Sequence, residues 1–444
     1  MPCLSPRALL QEGTVAVSLG VVMTEGILHR DVLNGGMTVV AEEVPGVRSV
    51  SVGVWVRSGS RNEKAEQGGL SHFIEHMSFK GTSSRSAFEI ARSLESVGGQ
   101  LDAFASREFT CYLARVFDEH LPLAIDVLSD IVCRSLFDRD EIEKEKRVIL
   151  DEIRTLEDTP DDQIHEVFSQ VIWREHSLGR SILGSKETVE AFNRGLVAGF
   201  HGTNYGLSNT IVSVAGKFDY PELLRLLSRS FSLPEKTTLE DGGPVPGYGR
   251  DTVVSERDLA QEYICVGSRG VSYNDEARFP VIVLNVALGG GMSSRLFQRI
   301  REELGLAYSV YTYADFMKDS GLFCSFMGVD PGRTIQALEA MLAEFEKARD
   351  SGLDSDEIES AKAQLKGSLF LGMESMSNRM TRLAKAEIYC GRYVSLDEVA
   401  SKIDGVTPED VLKAGELVLS PRNLSLVATG PCPEKDLSGV MRAV

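Results

Sequence analysis

Several features are missing from this 444-residue chain, and each absence removes a class of function. No apolar run reaches the ~20 residues needed to span a bilayer, so no membrane role is expected. Basic charge is not in excess: 47 Lys and Arg stand against 65 Asp and Glu, a formal net charge of −18. That balance argues against a nucleic-acid partner and favours solubility and attraction of basic peptides. Close cysteine pairs are lacking too, since Cys3, Cys111, Cys133, Cys265, Cys324, Cys390 and Cys432 are scattered. The cysteines therefore read as small buried hydrophobes in a reducing compartment, not as disulfides or a thiolate zinc site. A cytoplasm is the expected location, ahead of an organellar matrix or export. Residues 1–25 read as a loose extension, because Gln11 and Glu12 interrupt what would otherwise imitate a secretion signal.

Histidine is scarce as well, with seven in the chain, yet two of them fall in His72-Phe73-Ile74-Glu75-His76. Imidazoles four residues apart share one helical face and can grip a single metal ion. Glu75 sits beside that metal, in the reversed form of the zinc-protease helix motif, whose chemistry is hydrolysis by activated water. The other five, His29, His120, His165, His176 and His201, stand without partner spacing and read as surface or core residues.

Two histidines leave tetrahedral zinc short of a third protein ligand. The acid-rich segment from Asp140 to Ile153 is the best source. It lacks Gly and Pro, and Ile142, Ile149, Ile153 and Leu156 recur at helical spacing. Glu145 and Glu152 lie two turns apart on one stripe, so one can ligate while the other braces a histidine from behind. Taken alone, the same pattern also describes a solvated acidic helix face.

The run from His72 to Thr82, HFIEHMSFKGT, resembles the signature of the pitrilysin/insulinase superfamily of zinc metallopeptidases. It is most similar to the branch holding the mitochondrial processing peptidase and its single-chain bacterial relatives. The resemblance extends from about Val32 to Thr429. It implies a third ligand about 76 residues beyond the second histidine, which lands on Glu152, and a further catalytic glutamate seven earlier, which is Glu145. The implied site is one Zn2+ per chain on His72, His76 and Glu152, with Glu75 as general base and Glu145 orienting the histidines.

The chain also repeats itself. Asp138 to Glu143 recurs as Asp354 to Glu359, and Asn209 to Gly216 recurs as Asn423 to Gly430. A Pro/Gly-rich passage, 233–250, lies between the copies. The expected organisation is an extension (1–25), a zinc-binding catalytic domain (26–232), a linker (233–250) and a second domain (251–444) without metal ligands. Alternating Val50, Val52, Val54 and Val56, a turn at Asn34-Gly35, helices near 85–97, 119–135 and 139–157, and a strand from Thr210 predict an α+β fold. Its two homologous halves, each with sheet on one side and helices on the other, would close clam-like around a cleft. Shifting the motif by 216 places Leu288, Gly291 and Met292 where His72, Glu75 and His76 stand, so the second half has lost the metal site.

In its place comes the glycine run Gly289-Gly290-Gly291, which lacks the Lys-Ser/Thr ending of a phosphate loop. Arg301 and Tyr308 follow, seven apart, where the resemblance implies an arginine and tyrosine reaching the substrate backbone; Arg299, Tyr311 and Tyr313 are near competitors. The resemblance also marks Asp102, Ala103 and Phe104 as an edge strand receiving a peptide, with Asp102 replacing the family's asparagine. Together these imply a homodimeric endopeptidase for short or unfolded peptides. The alternatives are one subunit of a heterodimeric processing peptidase, or a non-catalytic assembly subunit.

Overall fold

The computed structural model describes residues 26–237, 243–245 and 250–443. The extension 1–25 and linker residues 238–242 and 246–249 lie outside the described residues.

Valine-rich alternation produces the first sheet. Its strands are β1 (Ile27–Val32), β2 (Thr38–Glu43), β3 (Ser49–Val56), β4 (Gln100–Ala105), β5 (Thr110–Phe117) and β6 (Thr210–Gly216). They are ordered β1-β2-β6-β3-β5-β4. The Asn34-Gly35 signal forms the turn between β1 and β2, with Gly35 at φ +85° and Gly36 at φ +94°. The second sheet comprises β7 (Thr252–Glu256), β8 (Glu262–Gly270), β9 (Ala307–Phe316), β10 (Gly321–Val329) and β11 (Ser425–Gly430), ordered β7-β11-β8-β10-β9. Apart from β1, the two orders are the same, and each sheet has one parallel pair, β2–β6 and β7–β11. The internal repeat read in the sequence is thus a repeat of topology.

Alternation in β3 predicts one buried and one open face, but Val50 through Val56 is buried on both. The cover on the far face comes from the other half of the chain. Helix Met376–Cys390 packs Met380, Leu383 and Ala384 against Val40, Trp55, Cys111 and Ile211 of the first sheet. Reciprocally, helix Pro160–Trp173 packs Ile164, Phe168, Ile172 and Trp173 against Cys265, Leu322, Cys324 and Phe326 of the second sheet. Each half therefore lends the other a helix, and the two-layer expectation becomes three layers. Trp55 and Trp173 are fully buried in these two contacts, and their ring nitrogens donate to Ser213 and Ser320 (2.8 and 3.0 Å). Ion pairs tie the exchanged helix down: Arg379 to Glu42, and Arg30 to Glu387 in a two-pronged contact of 2.8 and 3.0 Å.

A buried carboxylate in the second sheet gives a pH signature. Glu262 opens β8 and accepts from the Cys432 amide at 2.8 Å, while its other oxygen has no partner among the described residues. Burial pushes its pKa up to about 7. The folded state therefore keeps a proton that the unfolded chain has released, so stability falls as pH rises from the ordinary carboxylate range to about 7. Glu262→Gln should stabilise the chain more at pH 8 than at pH 5, by about 1–3 kcal/mol of difference. Urea midpoints at the two pH values check this.

Candidate active site

The motif helix, Leu70–Met77, is short and amphipathic. Leu70, Phe73, Ile74 and Met77 enter the core, which turns His72, Glu75 and His76 toward the opposite side. Its start is fixed by Glu63, a buried residue whose carboxylate accepts from the amides of Gly69 (2.8 Å) and Ser71 (2.6 Å). A carboxylate on free amides at a helix N-terminus is favourable on charge as well as geometry. Gly69 is required there: φ is +96°, and a Cβ would lie 2.6 Å from the Leu183 carbonyl oxygen.

The acidic segment is one helix, Arg139–Glu157, capped by Asp138, with Ile142 and Ile149 in the core. It delivers two carboxylates to the histidines. Glu145 is buried and its Oε1 accepts from His76 Nδ1 at 2.8 Å, while its Oε2 is 2.7 Å from Lys80 Nζ. Glu152, more open to solvent, places one oxygen 3.8 Å from His72 Nε2 and the other 3.8 Å from His76 Nε2. The choice left by spacing alone is thus resolved geometrically: Glu145 braces from behind and Glu152 faces both ring nitrogens.

This donor set suits zinc. Tetrahedral ligands at ~2.0–2.1 Å from zinc lie about 3.3 Å apart, half an ångström inside the distances seen here. Holding the Nδ1 proton against Glu145 leaves the His76 Nε2 lone pair free toward Glu152. Burial, then the neighbouring His76, lower the His72 pKa to about 3, which keeps that ring in its neutral, ligating form. For His76 burial works downward too, but Glu145, Glu75 and Glu152 prevail and raise it. Burial would raise Glu145, yet hydrogen bonds from His76 and Lys80 hold it below the usual carboxylate range. Glu145→Gln should weaken zinc affinity about 10–100-fold while leaving all three donors in place, as measured by chelator competition.

Glu75 lies among these groups, its carboxylate within ligand range of both imidazoles. Burial, with Asp102 and Glu152 adding to it, pushes its pKa up to about 7 against the pull of His76 and the Ala105 amide. Asp102 and Ala105 belong to β4, the outermost strand of the first sheet, which therefore runs beside the motif helix. Asp102, Ala103 and Phe104 thus stand on an edge next to the site. Asp102 Oδ1 already accepts from the Ala103 amide at 2.8 Å, so that main-chain donor is occupied. Phe104 is half-exposed and meets Trp55 edge-on.

Arg301 and Tyr308 are brought to each other but not to the histidines. Arg301 lies in a π-helical turn, Phe297–Glu303, its guanidinium 4.8 Å from both the Phe297 and Tyr308 rings. Tyr308 is 77% exposed at the start of β9, the edge of the second sheet. Among the described residues no hydrogen bond, ion pair or ring contact links either one to the motif helix. Tyr311 and Tyr313 instead bond His165, both at 2.9 Å. The glycine run only ends helix Arg278–Gly289 and caps it.

Sequence reading missed Glu63 and the Lys80 contact. Glu63 precedes its helix by a whole turn of loop, and no local pattern announces that its carboxylate folds back. It also missed a grouping of His165, Cys265 and Cys324, whose ligand atoms all lie within 4.8 Å of one another. Spacing gave His165 no partner and the cysteines no close pair; in the fold a helix from one half and two strands from the other bring them together, at separations in sequence that spacing cannot reveal.

Comparison with known proteins identifies the family and the fold. Residues 38–186 fit the family model described as Insulinase (Peptidase family M16), and residues 191–365 fit the Peptidase M16 inactive domain. The chain is 38% identical to an uncharacterized zinc protease of Streptomyces coelicolor, covering 94% of this chain and 93% of the other. It is 39% identical to the uncharacterized zinc protease YmxG of Bacillus subtilis, over 87% and 94% of the two chains. A crystal structure of a protease from Helicobacter pylori superposes with a TM-score of 0.85 at 20% identity, over 92% of this chain and 100% of that one.

Proposed function

We propose, from the premise that this chain belongs to the insulinase family of peptidases, family M16, that it is a zinc-dependent endopeptidase of short or unfolded peptides. The observation that carries this reading is the convergence of His72 Nε2, His76 Nε2 and the Glu152 carboxylate, with Glu75 alongside. His72, His76 and Glu152 would hold one zinc ion. When bound, zinc lowers the pKa of water toward 7 and polarises the scissile carbonyl.

The chain's own residues supply the rest. Glu75, in its ionised form, takes the proton of the attacking water and passes it to the leaving amine. Glu145 holds His76 in the tautomer that presents Nε2. The edge of β4 aligns the peptide by main-chain hydrogen bonds, with Asp102 tuning the grip at Ala103. Arg301 and Tyr308 meet the substrate backbone when the halves close, and their donors stabilise the developing oxyanion. Selection for short or unfolded peptides is part of this reading, because a site drawn from both halves takes an extended chain. The reading includes a homodimer and a bacterial-type cytoplasm; among the described residues, no helix is long and apolar enough to cross a membrane.

The test is cleavage of a quenched-fluorescence peptide library by the purified chain alone. Turnover that a chelator removes and zinc restores is the expected result. Zinc bound to this site without cleavage would point to a missing partner chain, and no metal at the motif would leave the assembly-subunit reading.

A further inference from the structure

The second cluster of metal-binding side chains lies on the opposite half of the molecule, where helix Pro160–Trp173 crosses the second sheet. Cys265 faces Phe326 across β8 and β10, and Cys324 faces Gly267. The two cysteines are therefore diagonal neighbours on one face of the sheet, the face this helix covers. Both are fully buried. His165 comes down from the helix with Nδ1 3.8 Å from Cys265 Sγ. Its other nitrogen, Nε2, is held by the Tyr311 hydroxyl at 2.9 Å, and the Tyr313 hydroxyl sits 2.9 Å from Nδ1.

We propose that His165 Nδ1, Cys265 Sγ and Cys324 Sγ form a binding site for a thiophilic divalent cation, zinc by preference, separate from the His72-His76-Glu152 centre. Three arguments carry it. Sulfurs of tetrahedral zinc lie about 3.8 Å apart at ~2.3 Å bond lengths, and the three ligand atoms here already fall within 4.8 Å of one another. A disulfide fits less well, because diagonal strand neighbours stand ~7–8 Å apart, beyond the usual reach of a cystine bridge. Two thiolates also cancel the charge of a divalent ion, which is what an apolar interior demands.

The surroundings support it. Burial raises both thiols; hydrogen bonds from Cys265, His165 and Tyr313 favour the Cys324 thiolate, while Cys265 stays well above the ordinary thiol range until a cation displaces its proton. Tyr311 at Nε2 orients the ring, as outer partners of metal-bound histidines do, and Nδ1, which now meets the Tyr313 hydroxyl, is the nitrogen turned toward Cys265. A cavity of about 310 Å³ lined by Arg107, His165, Glu166, Tyr311 and Tyr313 opens on the histidine side of the cluster. Binding would release both thiol protons to solvent, replace the Tyr313 contact at Nδ1, and leave Tyr313 as the nearest oxygen. The ion would then fasten a helix of the first half to the sheet of the second.

Cobalt titration of the full, chelator-stripped chain is the test, because thiolate-to-cobalt charge transfer absorbs in the near ultraviolet and a His/Glu site has no such band. The expected result is two Co2+ per chain, one carrying that band. The double variant Cys265→Ser/Cys324→Ser should take up one Co2+ without it, and His165→Gln should bind the band-forming ion at least tenfold more weakly. A Glu152→Gln chain should keep the band, so failure of the peptidase site and failure of this one are told apart. Wild type showing no band overturns the proposal whether or not any variant folds, and so does a band that survives in the double variant.

Discussion

Glu75→Gln should lower peptide turnover by about 10²–10⁴-fold and leave the zinc content of the motif site unchanged. The substitution preserves shape and removes none of the atoms that face the metal position, namely His72 Nε2, His76 Nε2 and the Glu152 carboxylate. What it removes is the capacity to accept a proton. In the metal-free chain, burial with Asp102 and Glu152 lifts the Glu75 pKa to about 7. A bound cation draws it back toward the usual carboxylate range, since positive charge favours the ionised form. The sign is fixed either way: activity falls as pH drops through this pKa, because the protonated acid cannot act as base. Equal zinc with turnover within threefold of wild type would remove Glu75 from the mechanism. Metal analysis beside initial rates, on the same preparations, makes both readings at once.

Arg61→Met should destabilise the fold strongly, by about 2–4 kcal/mol, the buried-pair penalty reduced because Asp319 is partly solvated. Arg61 is almost wholly buried beside the start of the motif loop. Its guanidinium donates to Glu108 at 2.8 Å and grips Asp319 of the second half at 2.7 and 2.5 Å. Burial opposes the charge, but Asp319 and Glu108 hold it firmly ionised. Methionine fills much of the same volume, so the loss is not a cavity. It is the removal of the cation shared by a buried Glu108 carboxylate and by Asp319, whose side chain is 40% exposed and keeps part of its hydration. Adding Glu108→Gln and Asp319→Asn to Arg61→Met should recover most of the loss, because a neutral trio has no charge to compensate. The midpoint of urea unfolding measures this, and a shift worth less than about 1 kcal/mol would show that water or other cations screen the pair.

How far the sequence disclosed the molecule depends on the range of the interaction. The helix 139–157 matches Arg139–Glu157, because a capping Asp138, an absence of Gly and Pro, and a regular apolar stripe all act within a few residues. The motif histidines were legible for the same reason. Glu152 and Glu145 needed a family resemblance, since spacing left their roles interchangeable; only the contact with His76 Nδ1 separates them. The double burial of β3 was hidden because its outer cover is supplied by Met380, Leu383 and Ala384, more than 300 residues further along. The His165 cluster was hidden for the mirror-image reason. In each case the missing information lies in which half of the chain lends an element to the other.

That exchange also sets an order on biosynthesis. All strands of the first sheet have been synthesised once Gly216 is made, yet the helix that covers their outer face begins at Met376. At about 5–20 residues per second the intervening stretch takes roughly 10–30 s, during which Val40, Trp55 and Ile211 have no cover. A nascent chain of this design is greasy on one side for much of its birth. Chaperones that hold exposed apolar surface, and pauses in translation, should therefore affect how much of the chain reaches the folded state.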